Sequence, residues 1–256
     1  MADRNILVER DGTTAVVTLN RPERRNALSL EMLEELTLAF RGLEREVRVA
    51  VLRGSGPAFS AGHDLAEMRS KDLAFYRRLF EACTTLMETI QDLAQPVIAQ
   101  VHGLATAAGC QLAASCDIVV AAQEARFATP GVRIGLFCST PMVALSRAVG
   151  SKRAMEMLLT GEAISAQEAL QSGLVSRVVP AAELESTVRG LAAKIAASSP
   201  AVVALGKRAF WRQLQMPQPL AYDYAQDVMS LNAALPDAQE GMTAFLEKRP
   251  PQWSGQ

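Results

Sequence analysis

At 256 residues the chain is long enough for one large domain, or a domain with a helical annex, and for a substantial core. Its 26 basic and 27 acidic residues leave a net charge of −1, so no bulk field exists to gather a phosphate backbone, which argues against a nucleic-acid partner. Hydrophobic residues at 49 % and charged ones at 21 % are ordinary globular composition, and no uncharged apolar run is long enough for membrane insertion.

The opening MADRNILVERDGTTAVVTLNRP shows no basic-then-apolar leader, so the expectation is a soluble, cytoplasmic protein. ILVER and AVVTLN flank DGTT, the pattern of a hairpin closed by an Asp-Gly turn. NALSLEMLEELTLAFRGLERE then places Leu30, Leu33, Leu36 or Thr37, and Phe40 on one helical face, with Ser29 as its cap. VRVAVLRG predicts a strand and GSGPAFSAG a loop, after which Asp64 and Glu67 carry the spacing of a capping box at the start of DLAEM. QPVIAQVHG repeats the plan, with a tight turn, a small-residue helix from about Ala107 and the strand DIVVAA. Continuous apolar strands alternating with helices predict an α/β fold whose parallel sheet is covered on both faces. Beyond Ser165 the pattern is amphipathic helix, broken by Gly173, Leu174 and a short strand before Pro180. Tyr222 to Leu235 and Asp237 to Lys248 then read as helices separated by Pro236.

The units at 47–68 and 97–115 share one logic, in which a strand ends beside a helix start in a glycine and alanine turn. Helix starts leave N–H groups without internal partners, and small residues leave them open to a ligand. Two such donors converging on one oxygen suit chemistry at a thioester carbonyl, where charge builds on oxygen in the transition state. Either turn by itself more often serves close packing.

The segments NRPERRNAL, FSAGHDLAEM, HGLATAAGCQLAASCDIVVA and FATPGVRIGLF, in this order from about Ile6 to Lys248, resemble the enoyl-CoA hydratase/isomerase family, the crotonase superfamily. AAGCQLAASCDI, IGLFCSTP and TGEAISAQEAL are most similar to its branch of enoyl-CoA hydratase domain-containing proteins of type three. The resemblance implies a spiral of ββα units over residues 1–195 and a helical trimerisation region over 196–256, assembled as a trimer or a dimer of trimers. It implies no cofactor beyond coenzyme A, carried by the acyl-CoA substrate itself. The family's oxyanion-hole amides fall on His63 and Ala108, and its CoA-contacting stretch on Ala61, His63, Asp64, Leu65 and Ala66. Ala108 replaces the usual glycine, which raises the question of the turn's φ. Arg24 and Arg25, and Lys248 with Arg249, fall where the family meets the phosphates and adenine.

Departures from the pattern carry the most information. The two glutamates that hold and activate water in a hydratase fall on Gln111 and Gly131. An amide orients water without taking its proton, and glycine does neither. Among other candidates, the His63 ring is a base by type, Asp64 reads as a helix cap and His102 as a packed turn residue. Glu67 and Glu88 are expected to face solvent or partners. Cys138 and Ser139 lie where the family's loop nears the acyl group, but no GxSxG elbow or third partner accompanies them. Cys83, Cys110, Cys116 and Cys138 lack CxxC spacing and read as buried thiols, and two histidines without HExxH give no metal site.

Three functions fit. One is an acyl-CoA enzyme using the oxyanion hole for enolate chemistry such as isomerisation, decarboxylation or thioester cleavage in fatty acid metabolism. The second is a weak enoyl-CoA hydratase, a lyase, and the third a non-catalytic acyl-CoA-binding trimer.

Overall fold

The computed structural model describes residues 5–255. Ile6–Asp11 (β1) and Thr14–Leu19 (β2) pair antiparallel around Gly12, whose φ of +59° suits the turn predicted there. Seven more strands follow: Val49–Gly54 (β3), Val97–Val101 (β4), Leu104–Thr106 (β5), Ile118–Ala122 (β6), Arg126–Ala128 (β7), Ile164–Ser165 (β8) and Arg177–Val179 (β9). They build a six-stranded sheet in the order β1-β2-β3-β4-β6-β9, parallel beyond the first hairpin, and a three-stranded sheet in the order β5-β7-β8.

The helices are Leu30–Arg41 (α1), Leu65–Met68 (α2), Leu73–Asp92 (α3), Ala108–Ser115 (α4), Pro141–Ala148 (α5), Ser151–Thr160 (α6), Ala166–Ser172 (α7), Ala181–Ala196 (α8), Pro200–Gln213 (α9), Gln218–Ala234 (α10) and Pro236–Glu247 (α11). Side chains alternate across a strand, so the large sheet has two cores. Ala50, Leu52, Val97 and Ala99 face α1, α3 and α4, while Val49, Val51, Ile98 and Val120 face Leu184, Val188 and Ala192 of α8. This is the two-faced burial that the continuous apolar strands predict.

The chain leaves the large sheet for the second layer through very short corners. Gly103 separates β4 from β5 at φ +59°, and a side chain there would run into the Pro57 carbonyl. The loop after β3 makes the same crossing with one residue, since Ser60 bridges Ala105 of β5. Three successive windings, through Ser60, β5 and β7, thus run from large sheet to second layer to helix, which is the expected ββα coil.

Beyond Val179 the described residues contain helices and no strand. α10 begins at Gln218, earlier than the predicted Tyr222, because Pro219 is tolerated in a first turn whose N–H groups need no partner. Lys207 of α9 pins this region to the core: its ammonium meets Asp117 at 2.7 Å and donates to the Ile90 and Gln95 carbonyls at 2.8 and 2.9 Å. Trp211 Nε1 donates to the same Asp117 at 2.9 Å. Burial lowers the Lys207 pKa, and Asp117 opposes that shift. The C-terminal tail is clipped by buried Asp237, which accepts from Ser199 Oγ, the Ser254 amide and hydroxyl, and the Gly255 amide.

Candidate active site

The turn after β3 lies directly on the N-terminus of α4. Gly62 has φ +86°, and a Cβ there would fall 2.8 Å from Ala107 Cβ and 3.1 Å from the Ala108 nitrogen. Gly109 is equally constrained, because a side chain would run into the Ser60 carbonyl. Glycine at both positions lets the two turns touch.

This contact sets two amides side by side. Their neighbours are all engaged: Gly62 N–H donates to Ser60 Oγ at 3.2 Å, Asp64 N–H to the Leu28 carbonyl at 3.1 Å, and Ala107 N–H to the Ala128 carbonyl at 2.9 Å. The N–H groups of His63 and Ala108 take no partner among the described residues. Ala108 is the first residue of α4, where helix geometry supplies none. The positive φ anticipated for Ala108 belongs instead to Ala107, at φ 49° and ψ −118°, the first central geometry of a type II′ turn and one that glycine prefers.

A cavity of about 710 Å³ opens beside these amides. Its walls come from His63 and Leu65 on one side, Ala107 and Ala108 at the base, Phe80 of α3, and the segment Pro130 to Pro141 opposite. Most of this surface is apolar, as an acyl chain requires. Of the expected site residues, Ala61, His63, Leu65, Ala108 and Gly131 line it, whereas Asp64, Ala66, Gln111, Arg24, Arg25 and Lys248 do not.

Gln111 is 5 % exposed and points its Oε1 toward the Cys83 thiol, 3.9 Å away. Gly131 has no room for a side chain: a Cβ would run into the Leu136 carbonyl and lie 2.8 Å from Cys138 Sγ. The Cys138 thiol therefore occupies the space that a carboxylate from position 131 would enter. Burial raises the Cys138 pKa, with a weak opposing pull from the Gly131 backbone, so the thiol stays protonated. Ser139 Oγ only donates to the Phe137 carbonyl at 3.3 Å, without a base beside it. Neither residue is an activated nucleophile.

The His63 ring, a base by type, sits in a setting that disfavours its charged form. Both ring nitrogens are buried without a hydrogen-bond partner, and the ring packs edge-on against Phe80 with centroids 5.4 Å apart. Burial pushes its pKa down to about 4, offset only slightly by the Leu28 backbone, so the imidazole is neutral at pH 7. His102 Nε2 meets the Gly56 carbonyl at 2.8 Å, the turn role expected of it.

Asp64 caps α2 as predicted, accepting from Ala66 N at 3.1 Å and Glu67 N at 3.4 Å. It also receives Arg21 at 2.9 Å and Arg24 at 3.2 Å, so Arg24 is already paired. Burial by itself would raise the Asp64 pKa, but Arg21, the Glu67 amide and Arg24 hold the carboxyl below its ordinary range. The reciprocal half of the capping box is absent. Asp64 N–H is spent on Leu28, and Glu67, only partly exposed, accepts from Leu30 N at 3.0 Å to cap α1. Glu88 is exposed, as anticipated. Arg249 is held by Glu240 at 2.7 and 2.9 Å and by Glu247 at 2.7 Å, while Lys248 is exposed at the left-handed end of α11. All four cysteines are buried and unpaired.

Sequence reasoning missed Asn26. Wholly buried, it donates to the Ser55 and Ala58 carbonyls at 2.9 and 2.8 Å and accepts from Arg21 N at 2.9 Å. With Ser60 Oγ donating to the Asn26 carbonyl at 2.9 Å, it ties the loop before α1 to the turn that presents the His63 amide. Its only signal in the sequence is a buried-type amide in a loop otherwise rich in charge.

A six-stranded sheet coiled into ββα windings, with two unpaired amides over an apolar cavity, defines a class. The chain belongs to the enoyl-CoA hydratase/isomerase family, whose model matches residues 9–256, and its fold is the crotonase fold. The crystal structure of Mycobacterium smegmatis enoyl-CoA hydratase has a TM-score of 0.96 and 50 % identity, covering 98 % of this chain and 99 % of that one. The structure of human enoyl coenzyme A hydratase domain-containing protein 3 gives 0.95 and 48 %, covering 98 % and 100 %. In sequence, the human protein named enoyl-CoA hydratase domain-containing protein 3, mitochondrial, is 50 % identical over 247 residues, 95 % of this chain and 81 % of that protein. The resemblance to this branch is borne out. The cytoplasmic expectation is overturned, since the vertebrate relatives are named mitochondrial. A compartment is specified by targeting segments, and the residue pattern of a folded domain does not encode it.

Proposed function

We propose that this chain binds an acyl-CoA thioester with its carbonyl oxygen between the amides of His63 and Ala108, which stabilise negative charge on that oxygen. The observation that carries this reading is the pair of adjacent, unpartnered backbone donors at the edge of an apolar cavity. Efficient hydration of 2-enoyl-CoA is not its activity, because Gln111 and Gly131 supply no carboxylate and the cavity lining holds none among the described residues. Arg25 and Lys248, both exposed, are available to the CoA phosphates, and Arg24 reaches them by leaving Asp64. The exposed Tyr222, Met229, Leu231 and Phe245 form the contacts of a trimer.

Calorimetry with butyryl-CoA and a crotonyl-CoA hydration assay test this together. The expected result is saturable binding with hydration at least roughly 10³-fold slower than in a two-glutamate relative. Absence of binding, or hydration within tenfold of that relative, refutes the reading.

A further inference from the structure

Enolates of thioesters form in two ways. In one, a base removes a proton from C2; in the other, C2 loses a group that leaves its bonding electrons behind. The cavity is poorly built for the first. Its only titratable lining residues are His63, Cys138 and Arg133. The His63 nitrogens are buried without a partner and burial leaves the ring a weak base, the Cys138 thiol is protonated, and a guanidinium does not accept a proton. Gln111, at the place of an acid, faces Cys83 instead.

Arg133 is the positive observation. It stands two residues beyond Gly131, in the turn Pro130–Ile134, and is the sole charged side chain on the lining. Its Nε donates to the Thr160 carbonyl at 3.1 Å, which anchors the guanidinium on the exposed side of the wall. No carboxylate pairs with it among the described residues, whereas Arg21, Arg24 and Arg249 are all paired. An anchored, uncommitted guanidinium on an apolar acyl cavity suits an acyl group that itself carries a carboxylate.

Resting on the thioester reading above, we propose that the substrate is a 2-carboxyacyl-CoA, of malonyl type, and that the reaction is its decarboxylation. Arg133 draws the carboxylate to the cavity, and the apolar walls strip its water, which disfavours the charged group where it stands. The bond between C2 and the carboxylate carbon breaks, and CO2 leaves. The bonding pair becomes the C1–C2 double bond of the enolate as the carbonyl pair moves onto oxygen, between the His63 and Ala108 amides. Water then protonates C2, and the hydroxide left over combines with CO2 to give bicarbonate. The step needs neither oxidant nor enzymic base.

The experiment incubates the full chain with malonyl-CoA and, separately, butyryl-CoA in D2O, following products by mass spectrometry and binding by calorimetry. The expected result is conversion of malonyl-CoA to deuterated acetyl-CoA at least about 10³-fold above the spontaneous rate. Butyryl-CoA binds but gains no deuterium at C2 above background. Arg133→Gln weakens malonyl-CoA binding about tenfold more than butyryl-CoA binding. Bound malonyl-CoA that keeps its carboxylate overturns the decarboxylation and leaves the thioester site standing. Deuterium exchange into butyryl-CoA at a comparable rate also overturns it, by revealing a base. Failure of both thioesters to bind overturns it together with the proposed function.

Discussion

Replacing Gln111 and Gly131 by glutamate restores the residue types of a hydratase, but the structure predicts that hydration does not return. The first Cβ of any side chain at position 131 would run into the Leu136 carbonyl, a backbone atom that no rotamer change removes, and would lie 2.8 Å from Cys138 Sγ. The backbone φ of Gly131 is not positive, so space and not conformation is the obstacle. Overpacking of this kind costs about 1–3 kcal/mol, or roughly 2–4 °C of Tm per kcal/mol for a chain of this size. The turn closed by Leu136 N–H donating to the Gly131 carbonyl at 2.9 Å has to open before a carboxylate enters. At position 111 the new carboxyl is buried beside the Cys83 thiol, which raises its pKa and weakens it as a water-orienting anion. Two working carboxylates would contribute about 10²- to 10⁴-fold each. The double variant is expected to gain less than tenfold in crotonyl-CoA hydration and to melt several degrees lower. Scanning calorimetry and an absorbance assay that follows loss of the conjugated enoyl thioester measure both. A double variant as stable as the parent with hydration raised by two orders of magnitude would refute this account of the Gly131 pocket.

Ala107→Gly relieves a backbone conformation that costs about 1–3 kcal/mol in a non-glycine residue and adds about 0.4–1 kcal/mol of unfolded-chain entropy, so denaturant unfolding is expected to show a net gain. His63 has a folded pKa of about 4 against 6.5 unfolded, so the unfolded chain takes up its proton first as pH falls. Its contribution, up to about 3 kcal/mol, is complete above pH 6.5 and lost between pH 6.5 and 4, and His63→Asn should flatten that part of the stability curve. Lys207→Met leaves the partly buried Asp117 without its cation and is expected to cost up to about 3–5 kcal/mol, read as a fall in Tm; a loss under 1 kcal/mol would show the pair to be dispensable.

The sequence discloses most of the fold because its elements are set locally. The hairpin, the Ser29 and Asp64 caps and the two-faced strands follow from turn chemistry, capping and alternation. The two glycine and alanine turns are legible for the same reason, as small residues at strand-to-helix junctions. What escapes is whatever depends on distant partners. Glu67 has the spacing to cap its own helix, yet the Leu28 bridge takes the Asp64 amide and frees Glu67 for α1. Asn26 and Ser60 matter through contacts across the loop pair. Arg133 is one of many arginines until the wall it stands on is seen to hold no other charge.

The most direct measurement is the infrared spectrum of butyryl-CoA labelled with carbon-13 at the thioester carbonyl and bound to the chain. Two amide donors on the oxygen polarise the C=O bond, so its stretch is predicted to move to lower frequency than in water. Ala108→Pro, which removes one donor at a helix position that tolerates proline, should return it part of the way. A bound thioester whose carbonyl stretch matches that in water, or is untouched by Ala108→Pro, would contradict the oxyanion site.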